Sequence, residues 1–381
     1  MQNTKCKTIG LTLPCSLRWQ RKRDATVERT MIATRRKICF LTLFAALACG
    51  ARAEELYRFE FSQPKMGTVF SIILFAADAD NARKTALAAF DRIEQLNGIM
   101  SDYKPDSELN LLCKNGVGAP VKISDDLFNV LGRAQDIARQ SDGAFDVTVG
   151  PLVRLWRKSR KERKLPDAEE LAKANELVGF EKLQLDANAR TAQLKTDGMQ
   201  LDLGGLAKGY AADQALAVIK ANGIKSALVA AGGDIAVSDA PPGKNGWTVA
   251  VAPLMDEPSE ARALANKAEK KPKIFLSLTN AGVSTSGDTE QFVEIGGKRY
   301  SHIVNPKTGL GFTVHCTVTV VAKNTAITDA VDTAVYALGP EKGLKLVEST
   351  EGAAALIVQA VDGGEKTFES SRWKDIPRAT K

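Results

Sequence analysis

The sequence contains few of the residues that build most transition-metal sites. Its 381 residues include two histidines, His302 and His315, and six cysteines. A zinc or iron site with several histidine ligands is therefore excluded by number. Four cysteines lie in the first 50 residues, and the other two, Cys113 and Cys316, are far apart with no C-x-x-C spacing. We interpret these two as unrelated thiols, with a disulfide between them as the open alternative.

A basic surface on the folded part of the chain is also missing. The net charge of +7 comes from 52 basic and 45 acidic residues. Residues 1–53 hold eleven of the basic residues and two of the acidic ones, so the remainder carries 41 basic against 43 acidic residues. Because a nucleic-acid-binding domain is expected to carry a basic face, we predict no nucleic-acid partner.

The apolar run near the N-terminus, Ile38–Gly50, is too short to span a bilayer comfortably. It follows the basic "TRRK" and precedes "ARA" (Ala51–Ala53), an order typical of a secretory signal peptide. We therefore predict a targeting segment over 1–53 and a mature domain over 54–381, exported to the periplasm.

The processing of this segment has alternatives. Met31 lies at the usual distance before the apolar run, so residues 1–30 fit an over-extended start. Cleavage after Ala53 is one interpretation. Lipid attachment at Cys49, which would make a lipoprotein anchored to the inner membrane, is another, and a buried N-terminal helix is the third.

Strand and helix patterns alternate along the mature chain. They predict an α+β fold in which mixed sheets and packed helices form one continuous catalytic body. The basic run that follows Trp156 is expected on a solvated helix face. Met255–Lys273 is expected to be a polar surface insertion or a mobile flap. The other predicted elements are a hairpin at Tyr57–Phe75, helices at Asn81–Met100 and Ser124–Ser141, a loop at 101–113, a strand ending at Asp202, and a helix of about a dozen residues opening in "ITDAVDTAVYALG".

That last stretch, Ile327–Gly339, clusters three oxygen-bearing side chains. In a helix, Asp329, Asp332 and Thr333 have i, i+3 and i+4 spacing and share one face. Carboxylate and hydroxyl oxygens are the hard ligands that Mg²⁺ accepts. The spacing predicts a Mg²⁺ site, whereas a solvent-facing helix start is the alternative.

Three turns could hold phosphate. "LDLGGLAKGYAADQA" places two glycines and Lys208 where a helix opens, and helix N-termini favour phosphate. The Walker pattern G-x-x-x-x-G-K-[ST] is absent. "STSGD" (Ser284–Asp288) is a second small-residue turn, and "SHIVNPKTG" places His302 before a third. Because an unperturbed imidazole titrates near neutral pH, His302 is our candidate general base.

Eight motifs in order resemble one family. They are "MGTVFSI", "MSDYKPDSELNLL", "GAFDVTVGPLVRLW", "LDLGGLAKGYAADQA", "AAGGDI", "STSGD", "SHIVNPKTG" and "TDAVDTAVYALG", which together span Phe61 to Gly339. Their order resembles that of the ApbE family of FAD:protein FMN transferases. The resemblance implies an exported enzyme that binds FAD with Mg²⁺ and transfers FMN to a threonine or serine hydroxyl of an acceptor protein, releasing AMP. The implied acceptor is a membrane electron-transport subunit.

The resemblance also implies site residues. Asp329, Asp332 and Thr333 match metal-binding positions, with Gly205 adding a backbone oxygen. Asn305 departs from the family pattern, which often has Asp there, so a charge-dependent role at that position is in doubt. The positions that match FAD contacts are Met66, Tyr103, Ala144, Phe145, Asp146, Asp202, Lys208 and Val304.

Two further functions stay open from the sequence. The first is an FAD pyrophosphatase, in which water replaces the acceptor hydroxyl and the products are FMN and AMP. The second is a non-catalytic exported protein that carries FAD.

Overall fold

The computed structural model of the chain describes residues 55–255, 273–289 and 291–379. The predicted targeting segment at 1–53 lies outside these ranges, as does the predicted polar insertion apart from its two end residues. The bounds of the mature domain and the processing of its N-terminus therefore stay predictions.

An eight-stranded antiparallel sheet forms the centre of the fold. Its strand order is β1-β2-β6-β7-β10-β13-β14-β15, and three small sheets, β3-β5-β4, β8-β9 and β11-β12, lie around it. The strands are β1 (Tyr57–Lys65), β2 (Thr68–Ala76), β3 (Val121–Lys122), β4 (Leu183–Asp186), β5 (Thr191–Leu194), β6 (Ala227–Ala231), β7 (Asp234–Val237), β8 (Trp247–Ala250), β9 (Phe275–Leu278), β10 (Ala281–Gly287), β11 (Phe292–Ile295), β12 (Lys298–Ser301), β13 (Cys316–Ala322), β14 (Ala354–Val361) and β15 (Gly364–Glu369).

Seven α-helices are present in the part of the chain that the structure describes, and the α+β prediction is confirmed. None of them is long and apolar enough to cross a membrane. They are α1 (Ala79–Met100), α2 (Glu108–Asn115), α3 (Asp125–Gln140), α4 (Gly150–Glu162), α5 (Ala168–Asn175), α6 (Ala207–Ala221) and α7 (Thr325–Ser349).

Apolar side chains on the two faces of the large sheet form two separate cores. In β2, Phe70, Ile72 and Leu74 point to one face and are fully buried, as strand alternation requires. They belong to the main core, which the helices α1, α3, α6 and α7 complete. The opposite face packs against Trp247 of β8 and the fully buried Trp373. The sheet is therefore covered on both sides.

The predicted hairpin forms as β1–β2 and has a two-residue turn. The strands run to Lys65 and resume at Thr68, so only Met66 and Gly67 form the turn. Both have positive φ, 48° at Met66 and 75° at Gly67. A left-handed conformation is unusual for a side chain as large as that of methionine, and it fixes Met66 at the hairpin tip. Pro64 is tolerated inside β1 because β1 is an edge strand.

Helix caps explain which helix predictions succeed. Ser124 caps α3 by accepting a hydrogen bond from the backbone N–H of Leu127, as predicted. The first helix begins two residues earlier than predicted because Asp78, rather than Asn81, is its cap. The loop predicted at 101–113 is wrong at its end, since Ser107 caps helix α2. The predicted strand before Asp202 is also wrong, because only one isolated bridge, Val149 to Gln200, forms there.

The C-terminal helix contains the predicted oxygen cluster. Asn324 caps α7 by accepting from the backbone N–H of Ile327, so the predicted helix forms but begins at Thr325, two residues before the predicted stretch. Gly339 has a non-helical conformation (φ 75°) and is followed by Pro340, which divides α7 into two helical parts. The first part is the predicted short helix.

Helices α6 and α7 approach closely at Gly209. A Cβ atom there would collide with the carbonyl oxygen of Thr325 and lie 2.8 Å from the Cβ of Asp329. Only glycine permits this approach, which brings Lys208 beside the oxygen cluster.

We expect Gly209→Ala to destabilise the protein by about 1–3 kcal/mol, because a methyl group there must push the two helices apart. Chemical denaturation measures the change in the free energy of unfolding. Gly98→Ala is the matched control: this helical glycine has no neighbouring atom within 4 Å of an added Cβ, so alanine should stabilise by about 0.5–1 kcal/mol. Equal stability of the Gly209→Ala variant and the wild type would contradict the proposed close packing.

Candidate functional site

A large cleft of about 1170 Å³ opens along one side of the sheet. Its walls come from the β1–β2 turn, the loop after α1, helix α4, the start of α6, the end of β10, the segment after β12, and α7. All the site residues predicted from the sequence line the cleft except Asp332, which lies directly behind its wall. The lining ones are Met66, Tyr103, Ala144, Phe145, Asp146, Asp202, Gly205, Lys208, His302, Val304, Asp329 and Thr333.

The predicted oxygen cluster forms a buried wall of the cleft. Asp329 and Asp332, one turn apart on α7, are 3% and 1% exposed. The hydroxyl of Ser286, at the end of β10, donates to Asp332 at 2.9 Å and lies 3.2 Å from that of Thr333. A Cβ on Gly205 would be 3.1 Å from the Thr333 hydroxyl, so the Gly205 backbone borders the same spot. The four predicted metal positions are therefore brought together.

Lys208 supplies the positive charge beside this wall. Its Nζ lies 3.0 Å from a carboxylate oxygen of Asp234 and 3.7 Å from one of Asp329. The backbone N–H of Gly209 also donates to Asp329 at 2.9 Å. Burial alone would lower the pKa of Lys208, but the neighbouring carboxylates raise it overall. One lysine therefore faces three carboxylates, those of Asp234, Asp329 and Asp332.

This excess of negative charge changes the titration of the two helix carboxylates. Burial, reinforced by Asp234, raises the pKa of Asp329 to about 7. Burial and the charge of Asp329 raise the pKa of Asp332 well above its usual value. Both groups would ionise more readily if a cation joined them.

The donor set fits Mg²⁺. Two carboxylates, the Thr333 hydroxyl and the Gly205 carbonyl are all oxygen ligands, which this hard cation prefers. Within the described ranges, no three His, Cys, Asp or Glu side chains are placed to hold a metal ion together. Softer ions prefer nitrogen and sulfur ligands, whereas the four positions of this cluster offer oxygen.

His302 stands on another wall, directly after β12. Its Nδ1 lies 3.1 Å from the backbone oxygen of Gln291, which can only accept, so Nδ1 carries the proton and Nε2 is left as an acceptor. The premise of an unperturbed imidazole is wrong. Burial, together with the charges of Arg160 and Lys208, lowers the pKa of His302 to about 4. The ring is therefore neutral at neutral pH.

Tyr103 offers a large aromatic surface at the rim. Its side chain is 74% exposed, and the guanidinium carbon of Arg157 lies 4.4 Å from the ring centroid. Arg157 is itself fixed by ion pairs to Asp102 and Asp202, the second at 3.0 Å. An exposed ring with a cation on one side is suited to stacking against a planar ligand.

The remaining predicted residues complete the cleft floor. Phe145 and Val304 are buried and apolar, and Met66 reaches the cleft from its strained turn. Asp146 is partly occupied within its own chain, because one carboxylate oxygen accepts from both the N–H and the hydroxyl of Thr148 at 2.8 and 2.7 Å. Its pKa is raised by burial.

Sequence reasoning missed several cleft residues. The basic run after Trp156 was expected on a solvated face, which is wrong for Arg157 and Arg160 because both line the cleft. Their spacing from Val153, i+4 and i+7, marked that face, but charge alone pointed to solvent. Ser286 and Asp234 were also missed, because their partners are distant in the sequence. The Ser286 hydroxyl donates to Asp332, and the Asp234 carboxylate pairs with Lys208.

The two cysteines of the mature chain, Cys113 and Cys316, are free thiols, as interpreted from the sequence. Burial raises the pKa of Cys316 to about 12, so this thiol stays protonated and unreactive.

Comparison with known proteins places this geometry among flavin transferases. The ApbE family profile matches residues 66–357. The FAD:protein FMN transferase of Haemophilus influenzae is 32% identical over 345 residues, covering 87% of this chain and 95% of that protein. The enzyme of the same name from Vibrio cholerae is 29% identical over 341 residues, covering 88% and 97%.

Solved structures show the same similarity. The flavin transferase ApbE from Vibrio cholerae matches with a TM-score of 0.73 and 27% identity, covering 84% of this chain and 100% of that chain. The apo form of the Pseudomonas stutzeri flavinyl transferase ApbE matches with a TM-score of 0.72 and 29% identity, covering 86% and 98%.

The carboxylate wall predicts an unusual pH dependence of stability when divalent cations are removed. Because folding raises the pKa of both aspartates, their contribution is most favourable below about pH 4 and is lost as the pH rises through the raised pKa values, which is about 7 for Asp329. Asp332→Asn should therefore stabilise the cation-free protein by about 1–3 kcal/mol at about pH 7.5, and by much less near pH 4.5.

Thermal denaturation in EDTA and in Mg²⁺ at both pH values measures this effect. Mg²⁺ should raise the Tm of the wild type more than that of Asp332→Asn. Asp91→Asn, which removes an exposed carboxylate from α1, should respond to Mg²⁺ as the wild type does. An equal Mg²⁺ response of Asp332→Asn and the wild type would argue against the metal site.

Proposed function

The chain belongs to the ApbE family, and from this we propose that it transfers FMN from FAD to a threonine or serine hydroxyl of an acceptor protein, with Mg²⁺ and with release of AMP. The observation that supports the proposal is the meeting, in one cleft, of a cluster of oxygen-bearing side chains with a neutral histidine.

Each reactive group has an assigned task. The acceptor hydroxyl oxygen attacks the phosphorus on the FMN side of FAD, and the bond from that phosphorus to the bridging oxygen breaks. AMP leaves with the bridging oxygen, and the hydroxyl proton passes to Nε2 of His302. Because Gln291 holds Nδ1–H, the lone pair of Nε2 is fixed in direction.

The cation would be held by Asp329, Asp332, Thr333 and the Gly205 carbonyl. When bound, Mg²⁺ supplies positive charge to the pyrophosphate and to the departing AMP. Lys208, whose amino group already faces this wall, adds a second positive charge near the phosphates.

The rest of the cleft is proposed to hold the FAD rings and sugars. Tyr103 stacks on a planar ring, with Met66 and Val304 as apolar contacts. Asp202 keeps Arg157 in place beneath Tyr103. The segment Ala144–Asp146 lines the adenine or ribose portion.

The setting is proposed from the N-terminal sequence. An exported, periplasmic enzyme, cleaved after Ala53 or lipid-anchored at Cys49, would meet acceptors at the membrane. A membrane electron-transport subunit is the proposed acceptor class.

A transfer assay tests this function. Protein, FAD and Mg²⁺ are incubated with and without a recombinant acceptor fragment, followed by in-gel flavin fluorescence and AMP quantification. We expect a fluorescent acceptor and one AMP per flavin transferred.

His302→Asn should lower the rate by about 10²–10⁴-fold with little change in FAD affinity, because it removes the proton acceptor. Since the pKa of His302 is about 4, the imidazole should stay competent from neutral pH down to about 5 and fail near 4.

The controls separate the alternatives. An acceptor whose threonine or serine is replaced by alanine should show no in-gel flavin fluorescence. AMP release without an acceptor at the same rate would instead support an FAD pyrophosphatase. FAD binding with neither product would support a carrier and contradict the proposal.

Tyr103→Ala should weaken FAD binding by about 1–3 kcal/mol, the range for stacking of a base on an aromatic side chain. Tyr103→Phe keeps the ring and should bind FAD nearly as the wild type does. Fluorescence titration measures both affinities. Unchanged FAD affinity in Tyr103→Ala would place the planar ring elsewhere in the cleft.

A further inference from the structure

Helix α4 presents one fixed face to the cleft. Val153, Trp156, Arg157 and Arg160 all line the cleft, and their spacing of i, i+3, i+4 and i+7 places them along one side of the helix. The indole N–H of Trp156 donates to the backbone oxygen of Ser301 at 3.0 Å. Because Ser301 directly precedes His302, this bond fixes the α4 face beside the candidate base.

Arg160 differs from the other basic residues of the cleft. Within the part of the chain that the structure describes, it forms no hydrogen bond or ion pair, although its side chain is half-buried. The other three cleft cations pair with carboxylates: Lys104 with Glu94, Arg157 with Asp102 and Asp202, and Lys208 with Asp234 and Asp329.

An unpaired, half-buried guanidinium is unfavourable in this position. Partial burial and the like charge of Arg157, three residues earlier on the same helix face, lower the pKa of Arg160. An anion would relieve both effects. The planar guanidinium donates several N–H groups in a fixed geometry that matches phosphate oxygens.

The position of Arg160 identifies which anion it would meet. Trp156, one turn before Arg160 on α4, is bonded to Ser301, which directly precedes His302, so Arg160 and His302 border the same part of the cleft. A general base must lie within hydrogen-bond reach of the hydroxyl that it deprotonates. That hydroxyl attacks phosphorus, so the phosphate under attack is the anionic group nearest to His302 and Arg160.

We propose that Arg160 binds the FMN-side phosphate of FAD and neutralises negative charge on its oxygens during transfer. This inference rests on the proposed function, because it assigns a contact within the same reaction. Lys208 and the cation would stand at the carboxylate wall, whereas Arg160 approaches from the wall of α4. The phosphate would thus be held from two sides, an arrangement suited to charge that develops on phosphoryl oxygens.

Paired binding titrations with FAD and riboflavin test the contact. Riboflavin shares the flavin ring but lacks phosphate. Arg160→Ala should weaken FAD binding about 10–100-fold, as expected for a lost contact to a charged group, and change riboflavin binding less than about twofold. Arg160→Lys should lie between Arg160→Ala and the wild type, because it keeps the charge without the planar donor geometry. Lys161→Ala, an exposed charge on the same helix, is the matched control and should match the wild type.

The transfer rate provides a second readout. At saturating FAD and acceptor, Arg160→Ala should transfer at least about tenfold more slowly, because the charge stabilisation is lost. Three results would overturn the proposal: unchanged FAD affinity and rate, equal losses for FAD and riboflavin, or an increase confined to the KM for the acceptor. An increase confined to the KM for the acceptor would indicate that Arg160 binds a carboxylate of the acceptor protein. Failure of the wild type to transfer FMN would contradict the proposed function, whereas the comparison of FAD with riboflavin would still decide the Arg160 contact.

Discussion

Three buried carboxylates share one lysine at the centre of this protein. Asp329 and Asp332 come from α7, Asp234 begins β7, and Lys208 opens α6. Such a charge imbalance is costly inside a protein unless a cation completes it. The surrounding structure brings these groups together despite that cost: Gly209 lets α6 touch α7, and its N–H binds Asp329. The excess negative charge is therefore a built feature of the cleft.

A second wall of the cleft carries positively charged side chains. Helix α4 presents Arg157 and Arg160, and His302 stands beside it as a neutral ring. Burial and, to a lesser extent, positive charges near His302 lower its pKa, so the imidazole is unprotonated at neutral pH. In the proposed transfer, so weak a base can act only if the attacking hydroxyl is brought directly to Nε2. The fixed hydrogen bond from Nδ1 to Gln291 serves this positioning.

The rim of the cleft combines a strained turn with an exposed ring. Met66 adopts a positive φ at the tip of β1–β2, and Tyr103 is exposed over Arg157. Neither arrangement contributes to the hydrophobic core as fully as an ordinary turn or a buried tyrosine would. Both place large side chains where a planar ligand would pass, which accounts for features that packing alone does not favour.

The sequence by itself determined the local elements and the order of the motifs. Caps such as Ser124 and Asn324 set helix starts, because a side-chain oxygen satisfies backbone N–H groups a few residues away. The spacing of Asp329 and Asp332 likewise followed from helix geometry. The motif order pointed to site residues that the fold does collect around one cleft.

Only the tertiary structure decided how those residues interact. The lowered pKa of His302 depends on burial and on charges from α4 and α6, which no local pattern contains. The basic run of α4 resembled a solvated face, yet the bond from Trp156 to Ser301 turns Arg160 toward the cleft. Hydrogen bonds within one turn are fixed by neighbours in the sequence, whereas burial and through-space charge are fixed by contacts between distant segments. The protonation states of the site residues depend on burial and through-space charge, so only the tertiary structure sets them.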